Sequence, residues 1–143
     1  MKKDKQWEAY KNHIKKVSSG FRYLIFAGEY NLKTQYMDQP KYGEDPESPC
    51  AAEISIDPCY LLATITFYPL VYEWYKQKRW DDVARTILHE MCHILTEPLY
   101  VFSIPFVSDG THPFLKDIRE RQTQRITNTL FELIKKDDYL PKK

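Results

Sequence analysis

Apolar residues recur every three to four positions along the first part of the chain. This repeat covers Trp7 to Glu29 and predicts a long first helix. Ser18, Ser19 and Gly20 lie within the repeat and are a candidate break or bend. The repeating residues are Trp7, Tyr10, Ile14, Val17, Phe21, Leu24 and Ile25.

Alternating apolar and polar residues then predict three strands. They cover Asn31 to Met37, Ala52 to Ile56 and Leu61 to Tyr68. The turn residues Asp57-Pro58 join the second and third strands, which we expect to form a hairpin. The stretch from Asp38 to Cys50 is rich in proline and charge, which is typical of a surface loop.

The rest of the chain predicts helices. Leu70 to Arg79 is ambiguous, and a short helix is favoured over another strand. A strongly two-faced helix runs from Asp82 to about Glu97 and is expected to stop at Pro98. Its predicted core face consists of Val83, Ile87, Leu88, Met91, Ile94 and Leu95. A last helix runs from Pro113 to about Lys136, with an apolar arc of Leu115, Ile118, Ile126, Leu130, Leu133 and Ile134. These elements predict an α+β fold.

Composition limits the class of protein. A chain of 143 residues with 43% hydrophobic and 15% aromatic content predicts one globular domain, 1-143, with frayed ends at 1-6 and 137-143. The net charge of +1 gives no reason to expect a nucleic-acid partner. No apolar run approaches the roughly 18 residues of a membrane span, and residues 1–6 lead into an amphipathic stretch and not into the short apolar core that is typical of a signal peptide. We therefore expect a soluble, cytoplasmic protein without a membrane partner.

Cysteine usage agrees with that expectation. Cys50, Cys59 and Cys92 are odd in number and lack paired spacing, so a secreted disulfide framework is not expected. Cys92 is predicted to be a small buried hydrophobic residue.

Residues His89-Glu90-Met91-Cys92-His93 form an HExxH sequence within the two-faced helix. Residues four apart lie on one face of a helix, so both imidazoles can reach the same ion. Glu90 is then close to the ion without being a ligand, and its carboxylate is free to take a proton from water. The pattern predicts a catalytic zinc site, with a solvated polar helix face as the competing interpretation.

A catalytic zinc needs a third protein ligand from elsewhere. Glu120 lies at the margin of the apolar face of the last helix, where a carboxylate can reach inward. The alternative interpretation of Glu120 is an exposed charge paired with Arg119, Arg121 or Gln124.

Other acidic and histidine residues remain candidates for this position. Glu97 lies on the histidine face at the end of the motif helix, as a helix-end residue or a partner of a ligand. Asp109 and His112 lie in the loop before the last helix. His112 is 19 residues beyond His93, which excludes the HExxHxxGxxH pattern.

The segment Ile87–Leu99, preceded by the strand Ala63–Phe67 and followed by a helix carrying Glu120, resembles the small phage and prophage metallopeptidases of the gluzincin group of HExxH zincins. The likeness covers about residues 30 to 135. It implies a minimal zincin-like domain with an N-terminal helix, a small three-stranded twisted sheet, the HExxH helix and a C-terminal helix that supplies the third ligand. It also implies Zn²⁺ bound by His89, His93 and Glu120, with Glu90 as general base.

The expected activity is hydrolysis of peptide bonds by zinc-activated water. Tyr100, His112 and Tyr68 are alternative donors to the oxyanion of the reaction. We expect the strand Leu61 to Tyr68 to hold a peptide or protein substrate through main-chain hydrogen bonds. A zincin-fold binding or regulatory module with little or no turnover is one alternative. A phage structural protein with a chance HExxH is another, and the oligomeric state stays open.

Overall fold

The computed structural model describes residues 5–25, 27–43 and 45–141. Within these ranges the chain has an α+β fold with five α-helices and a three-stranded mixed sheet. The helices are α1 (Lys5–Leu24), α2 (Pro69–Lys76), α3 (Trp80–Ser103), α4 (His112–Leu133) and α5 (Lys136–Tyr139). The strands are β1 (Asn31–Tyr36), β2 (Ala52–Asp57) and β3 (Leu62–Phe67). Two 3-10 turns, Ile104–Phe106 and Asp109–Thr111, connect α3 to α4.

The sheet has the order β1-β3-β2, so β3 is its central strand. β2 and β3 form the predicted antiparallel hairpin, and β1 runs parallel to β3. Ala63, Ile65 and Phe67 are buried on one face of β3, as their alternation predicts. The expectation that the Leu61 to Tyr68 strand holds a peptide through main-chain hydrogen bonds requires a free edge and is wrong, because β1 pairs with one side of β3 and β2 with the other. The free edge beside α3 belongs to β2.

Helix α1 covers the sheet together with α3, and its apolar face is buried. Ser18, Ser19 and Gly20 do not break it, because the buried side chains of Val17, Ser18 and Phe21 keep one face packed through this region. The helix ends at Leu24 and not at the predicted Glu29. The Ala27 N–H donates to the Arg22 carbonyl at 3.0 Å, a six-to-one hydrogen bond that closes a helix C-terminus. The short helix favoured for Leu70 to Arg79 is confirmed as α2.

Helix α3 does not stop at Pro98, as the sequence predicts, but continues to Ser103. A proline removes one backbone donor from a helix without forbidding its continuation. Residues on both sides of Pro98 are tied to α4. The Glu97 carboxylate binds Arg119 at 2.7 Å, and the Tyr100 ring packs against the same guanidinium at 4.5 Å. These contacts hold the helix in register past the proline.

The C-terminal end also differs from the expectation of a frayed segment over 137–143. Lys136–Tyr139 form α5, and Tyr139 is only 2% exposed. The Tyr139 hydroxyl donates to Asp81 Oδ1 at 2.9 Å, which ties the segment to the start of α3. At the other end, where fraying was expected over 1–6, residues 5 and 6 belong to α1. Residues 1–4, 142 and 143 lie outside the described ranges.

Candidate metal centre

The HExxH residues lie in the middle of α3, where the opposite side of the helix is fully buried. Val83, Ile87 and Met91 are 0% exposed, so the packing of this face fixes the rotation of the helix about its axis. Cys92 is buried among them, as predicted. The histidine rings of the motif face the same cleft, with centroids 5.1 Å apart and planes at 89° to each other.

Helix α4 packs along α3 and brings Glu120 to the two histidines. Glu120 Oε2 lies 3.5 Å from His93 Nε2 and 3.8 Å from His89 Nε2. One donor atom from each of the three residues lies within 4.8 Å of the other two. The structure therefore places together the three residues that the sequence predicts as metal ligands.

This cluster fits a metal ion. Two imidazoles and one carboxylate form the donor set of catalytic zinc sites, which keep a fourth position open. With tetrahedral bonds of about 2.0 to 2.2 Å, donor atoms are separated by about 3.4 Å. Both distances from Glu120 Oε2 are close to that separation.

Electrostatics favour the protonation states that bind a cation. The neighbouring His89, with His93 and Arg119, lowers the pKa of Glu120 to about 2 against the opposing effect of burial. Burial lowers the pKa of His93 to about 4. At neutral pH Glu120 is therefore anionic and His93 is neutral, and these are the forms that coordinate metals.

Glu90 lies beside the cluster and is 9% exposed. Burial raises the pKa of Glu90 to about 7, helped by the nearby carboxylates of Glu120 and Glu53. His89 and a hydrogen bond from the Ile54 backbone N–H oppose this rise. A carboxyl group with a pKa close to neutral pH is suited to accept a proton and to return it.

Strand β2 forms one wall beside these residues. The Tyr68 N–H donates to the Ala51 carbonyl at 2.9 Å, so these residues form a hydrogen-bonded pair that continues the β2–β3 register. Hydrogen-bonded and non-hydrogen-bonded pairs alternate in an antiparallel ladder. The main-chain groups of Ala52, Ile54 and Ile56 therefore point away from β3, toward the free edge.

The site opens into a cleft of about 430 Å³. The cleft is lined by four candidate site residues, three from the HExxH sequence and Glu120 from α4. Residues of β2 and several charged side chains complete the lining. The lining residues are Cys50, Ala52, Glu53, Ile54, His89, Glu90, His93, Glu97, Lys116, Arg119 and Glu120.

Arg119 lines the cleft, although the sequence named it only as a possible ion-pair partner of Glu120. Its Nη2 donates to Glu120 Oε1 at 3.0 Å and its Nη1 donates to Glu97 Oε2 at 2.7 Å. Glu97, an alternative third ligand, thus pairs with Arg119 and lies outside the three-residue cluster. Glu120 pairs with Arg119, as the alternative interpretation predicts. At the same time, Glu120 lies close to both histidines. The only sequence signal for Arg119 is its position next to Glu120.

The structure does not bring the three candidate oxyanion donors into the cleft lining. Among the described residues that line the cleft, none is Tyr100, His112 or Tyr68. Tyr100, His112 and Asp109 line an adjoining cavity of about 940 Å³ that shares Glu120 with the cleft. Tyr68 is buried and its hydroxyl donates to Glu53.

Thr123 also contacts the site without having been predicted. Its Oγ1 lies 3.3 Å from His93 Nδ1. The apolar arc predicted for α4 omits this residue, yet Thr123 and Thr127 are 0% exposed and Leu133 of the arc is 72% exposed. Threonine hydroxyls can bond to carbonyls of their own helix, which allows polar residues to lie at a helix interface.

Comparison with known proteins finds no matching family model, curated protein or solved structure. Among the residues that the structure describes, no helix is both long and apolar enough to cross a bilayer. The function is therefore inferred from the chemistry of the site itself.

Proposed function

We propose that the protein is a zinc-dependent peptidase of the HExxH zincin type. The observation that carries the proposal is the convergence of His89, His93 and Glu120 within 4.8 Å, beside a buried Glu90. Three protein ligands with an open fourth position are typical of catalytic zinc, whereas structural zinc sites have four protein ligands. The resemblance of the segment around the motif to phage and prophage gluzincins points the same way.

The reaction chemistry divides between the metal and the protein. When bound, a zinc ion activates water and polarises the substrate carbonyl. His89 and His93 would hold the ion through their imidazoles and Glu120 through Oε2, while Arg119 engages Oε1. Glu90 accepts the proton that the attacking water loses and delivers it to the departing amine.

The proposed substrate is an extended peptide or protein segment. The free edge of β2 lines the cleft and directs the main-chain groups of Ala52, Ile54 and Ile56 outward. An added strand pairs with such an edge through backbone hydrogen bonds, which are largely independent of side-chain identity. This role belongs to β2 and not to the Leu61 to Tyr68 strand, since β3 has no free edge.

Metal analysis tests the ligand set. The purified protein is expected to bind about one zinc ion per chain, and His89→Ala and His93→Ala are expected to lose it. Elemental analysis after dialysis, followed by zinc titration, measures both. Full zinc retention in both variants contradicts the site, and a wild-type protein that binds no zinc favours a chance HExxH.

Glu90→Gln separates catalysis from metal binding. Because Glu90 is not a ligand, the variant should keep its zinc while peptide hydrolysis falls by about 10²- to 10⁴-fold. Glu73→Gln, an exposed glutamate change on α2, is the control and should leave turnover unchanged. Wild-type protein that binds zinc and a peptide, but cleaves neither this peptide nor a diverse peptide library, would contradict the proposed peptidase activity and favour a binding module.

A further inference from the structure

The His93 ring has a polar contact at each of its nitrogens. Nε2 lies 3.5 Å from Glu120 Oε2, and Nδ1 lies 3.3 Å from Thr123 Oγ1. His93 is 6% exposed and Thr123 is 0% exposed, so bulk water hardly competes for these contacts. A neutral imidazole carries one proton on one nitrogen, and only the other nitrogen can bind a metal. The partner of Nδ1 therefore affects whether Nε2 is ready for metal binding.

The hydrogen bonds of Thr123 indicate which nitrogen carries the proton. The Thr123 hydroxyl has a single proton, which it donates to the Arg119 carbonyl at 2.9 Å. Thr96 Oγ1 lies 2.9 Å from the same hydroxyl oxygen, and the single Thr96 proton can go either to it or to the His93 carbonyl at 3.4 Å. With its proton engaged by the carbonyl, the Thr123 oxygen accepts a hydrogen bond from the His93 Nδ1–H. The lone pair of Nε2 then faces Glu120.

We propose that Thr123 is a positioning residue that holds His93 in the Nδ1–H tautomer and leaves Nε2 free for the metal. The opposite tautomer would place an N–H on Nε2 and direct it at Glu120, where it would have to be displaced before a metal could bind. The Thr123 acceptor opposes that tautomer. A neutral hydroxyl does so without adding a charge to a site that already contains Glu90 and Glu120.

The consequence for metal binding rests on the proposed zinc centre, whereas the hydrogen bond itself needs no metal. Partners of metal-bound histidines typically affect metal affinity about 10- to 100-fold. Thr123→Val keeps the branched shape and removes the hydroxyl, so its zinc dissociation constant should rise by about that factor. Thr123→Ser restores the hydroxyl and should bind zinc with an affinity close to that of the wild type.

Thr127→Val provides the matched control. Thr127 lies one turn further along α4 and is also 0% exposed. Its hydroxyl donates to the Thr123 carbonyl at 2.8 Å, so the substitution removes an equally buried hydroxyl that serves the helix backbone. Zinc affinity in Thr127→Val should match that of the wild type. A loss equal to that of Thr123→Val would assign the effect to helix packing and overturn the proposal.

Nitrogen NMR of the His93 ring measures the tautomer directly in metal-free protein at neutral pH. The population with a protonated Nδ1 should fall in Thr123→Val relative to the wild type and recover in Thr123→Ser. An unchanged tautomer in Thr123→Val overturns the proposal, whatever happens to zinc affinity. Thr123→Ala gives the same comparison if the valine variant does not fold. Wild-type protein that binds no zinc contradicts the proposed peptidase, and the tautomer comparison still decides the role of Thr123.

Discussion

At the scale of single residues, two of the three candidate ligands have a partner on the side away from the metal position. Arg119 engages one oxygen of Glu120 and leaves the other to the histidines. Thr123 contacts the Nδ1 of His93. Buried polar groups destabilise a protein unless they are hydrogen-bonded, so these partners stabilise the site as well as orienting its donors.

His13 is a second buried histidine, and its ring contacts lie outside the candidate metal centre. Its effect on stability can therefore be predicted separately. It is 8% exposed and packs against Tyr75 and Trp80, with ring centroids 5.6 and 5.4 Å away. Burial, with Lys16 nearby, lowers the pKa of His13 from 6.5 to about 4. Between these values the unfolded chain binds more protons than the folded protein. The contribution of neutral His13 to stability is therefore complete above about pH 6.5 and is lost progressively as the pH falls toward 4.

Urea unfolding tests this dependence in wild-type protein and in His13→Gln. Measurements at several pH values between about 7.5 and 4 cover the pKa of His13 in the unfolded chain and in the folded protein. The free energy of unfolding should fall less steeply with decreasing pH in the variant. His93 and Glu90 titrate in both proteins, so their contributions cancel in the comparison. Identical slopes in the two proteins would show that His13 is not the group responsible.

At the scale of elements, α3 shows how contacts between helices override a local signal. Its buried face matches the predicted apolar periodicity except at Leu95, which is 41% exposed. Its length does not match, because the helix passes through Pro98. An internal proline typically costs a helix about 3 kcal/mol. The paired contacts of Glu97 and Tyr100 with Arg119 offset part of that cost.

Pro98→Ala is therefore expected to stabilise the protein. Restoring a backbone donor in the middle of α3 should raise the free energy of unfolding by about 1 to 2 kcal/mol, somewhat less than the full penalty because ring contacts are lost. Pro113→Ala is the control, since Pro113 lies in the first turn of α4, where proline is well tolerated. Urea unfolding measures both variants. A Pro98→Ala protein less stable than the wild type would mean that the ring itself supports the α3–α4 contact.

At the scale of the whole molecule, the site depends on three elements from different parts of the chain. Helix α3 contributes the histidines and Glu90, α4 contributes Glu120, and β2 lines the cleft. The segment α5 ties two of these elements together. The Tyr139 hydroxyl binds Asp81 at the start of α3, and its ring lies 5.7 Å from that of Phe131 near the end of α4.

Tyr139 substitutions measure how much this C-terminal connection contributes. Tyr139→Ala removes a buried aromatic ring and should lower the free energy of unfolding by about 3 kcal/mol or more. Tyr139→Phe removes only the hydrogen bond to Asp81 and should cost about 1 kcal/mol. Asp137→Ala, at an exposed position of the same short helix, should change stability little. Equal, small effects of all three would mean that α5 is not part of the cooperative core.

The sequence by itself determined the features that depend on neighbouring residues. The pattern of side chains located α1 to α4, the three strands and the β2–β3 hairpin, and it placed Ala63, Ile65 and Phe67 on a buried face. Helix geometry put His89 and His93 on one side of α3. Each of these depends on backbone geometry within a few residues, where the pattern of side chains is sufficient.

Only the tertiary structure decided which distant residues meet. The order β1-β3-β2 gave the free edge beside the site to β2, and the packing of α4 on α3 brought Glu120 within 3.5 Å of His93. The same packing keeps α3 helical beyond Pro98. It also places Arg119 against Glu120 and Thr123 against His93. Such contacts join residues far apart in the chain, and they form because the buried faces of separate elements fit together. A local repeat carries no information about that fit.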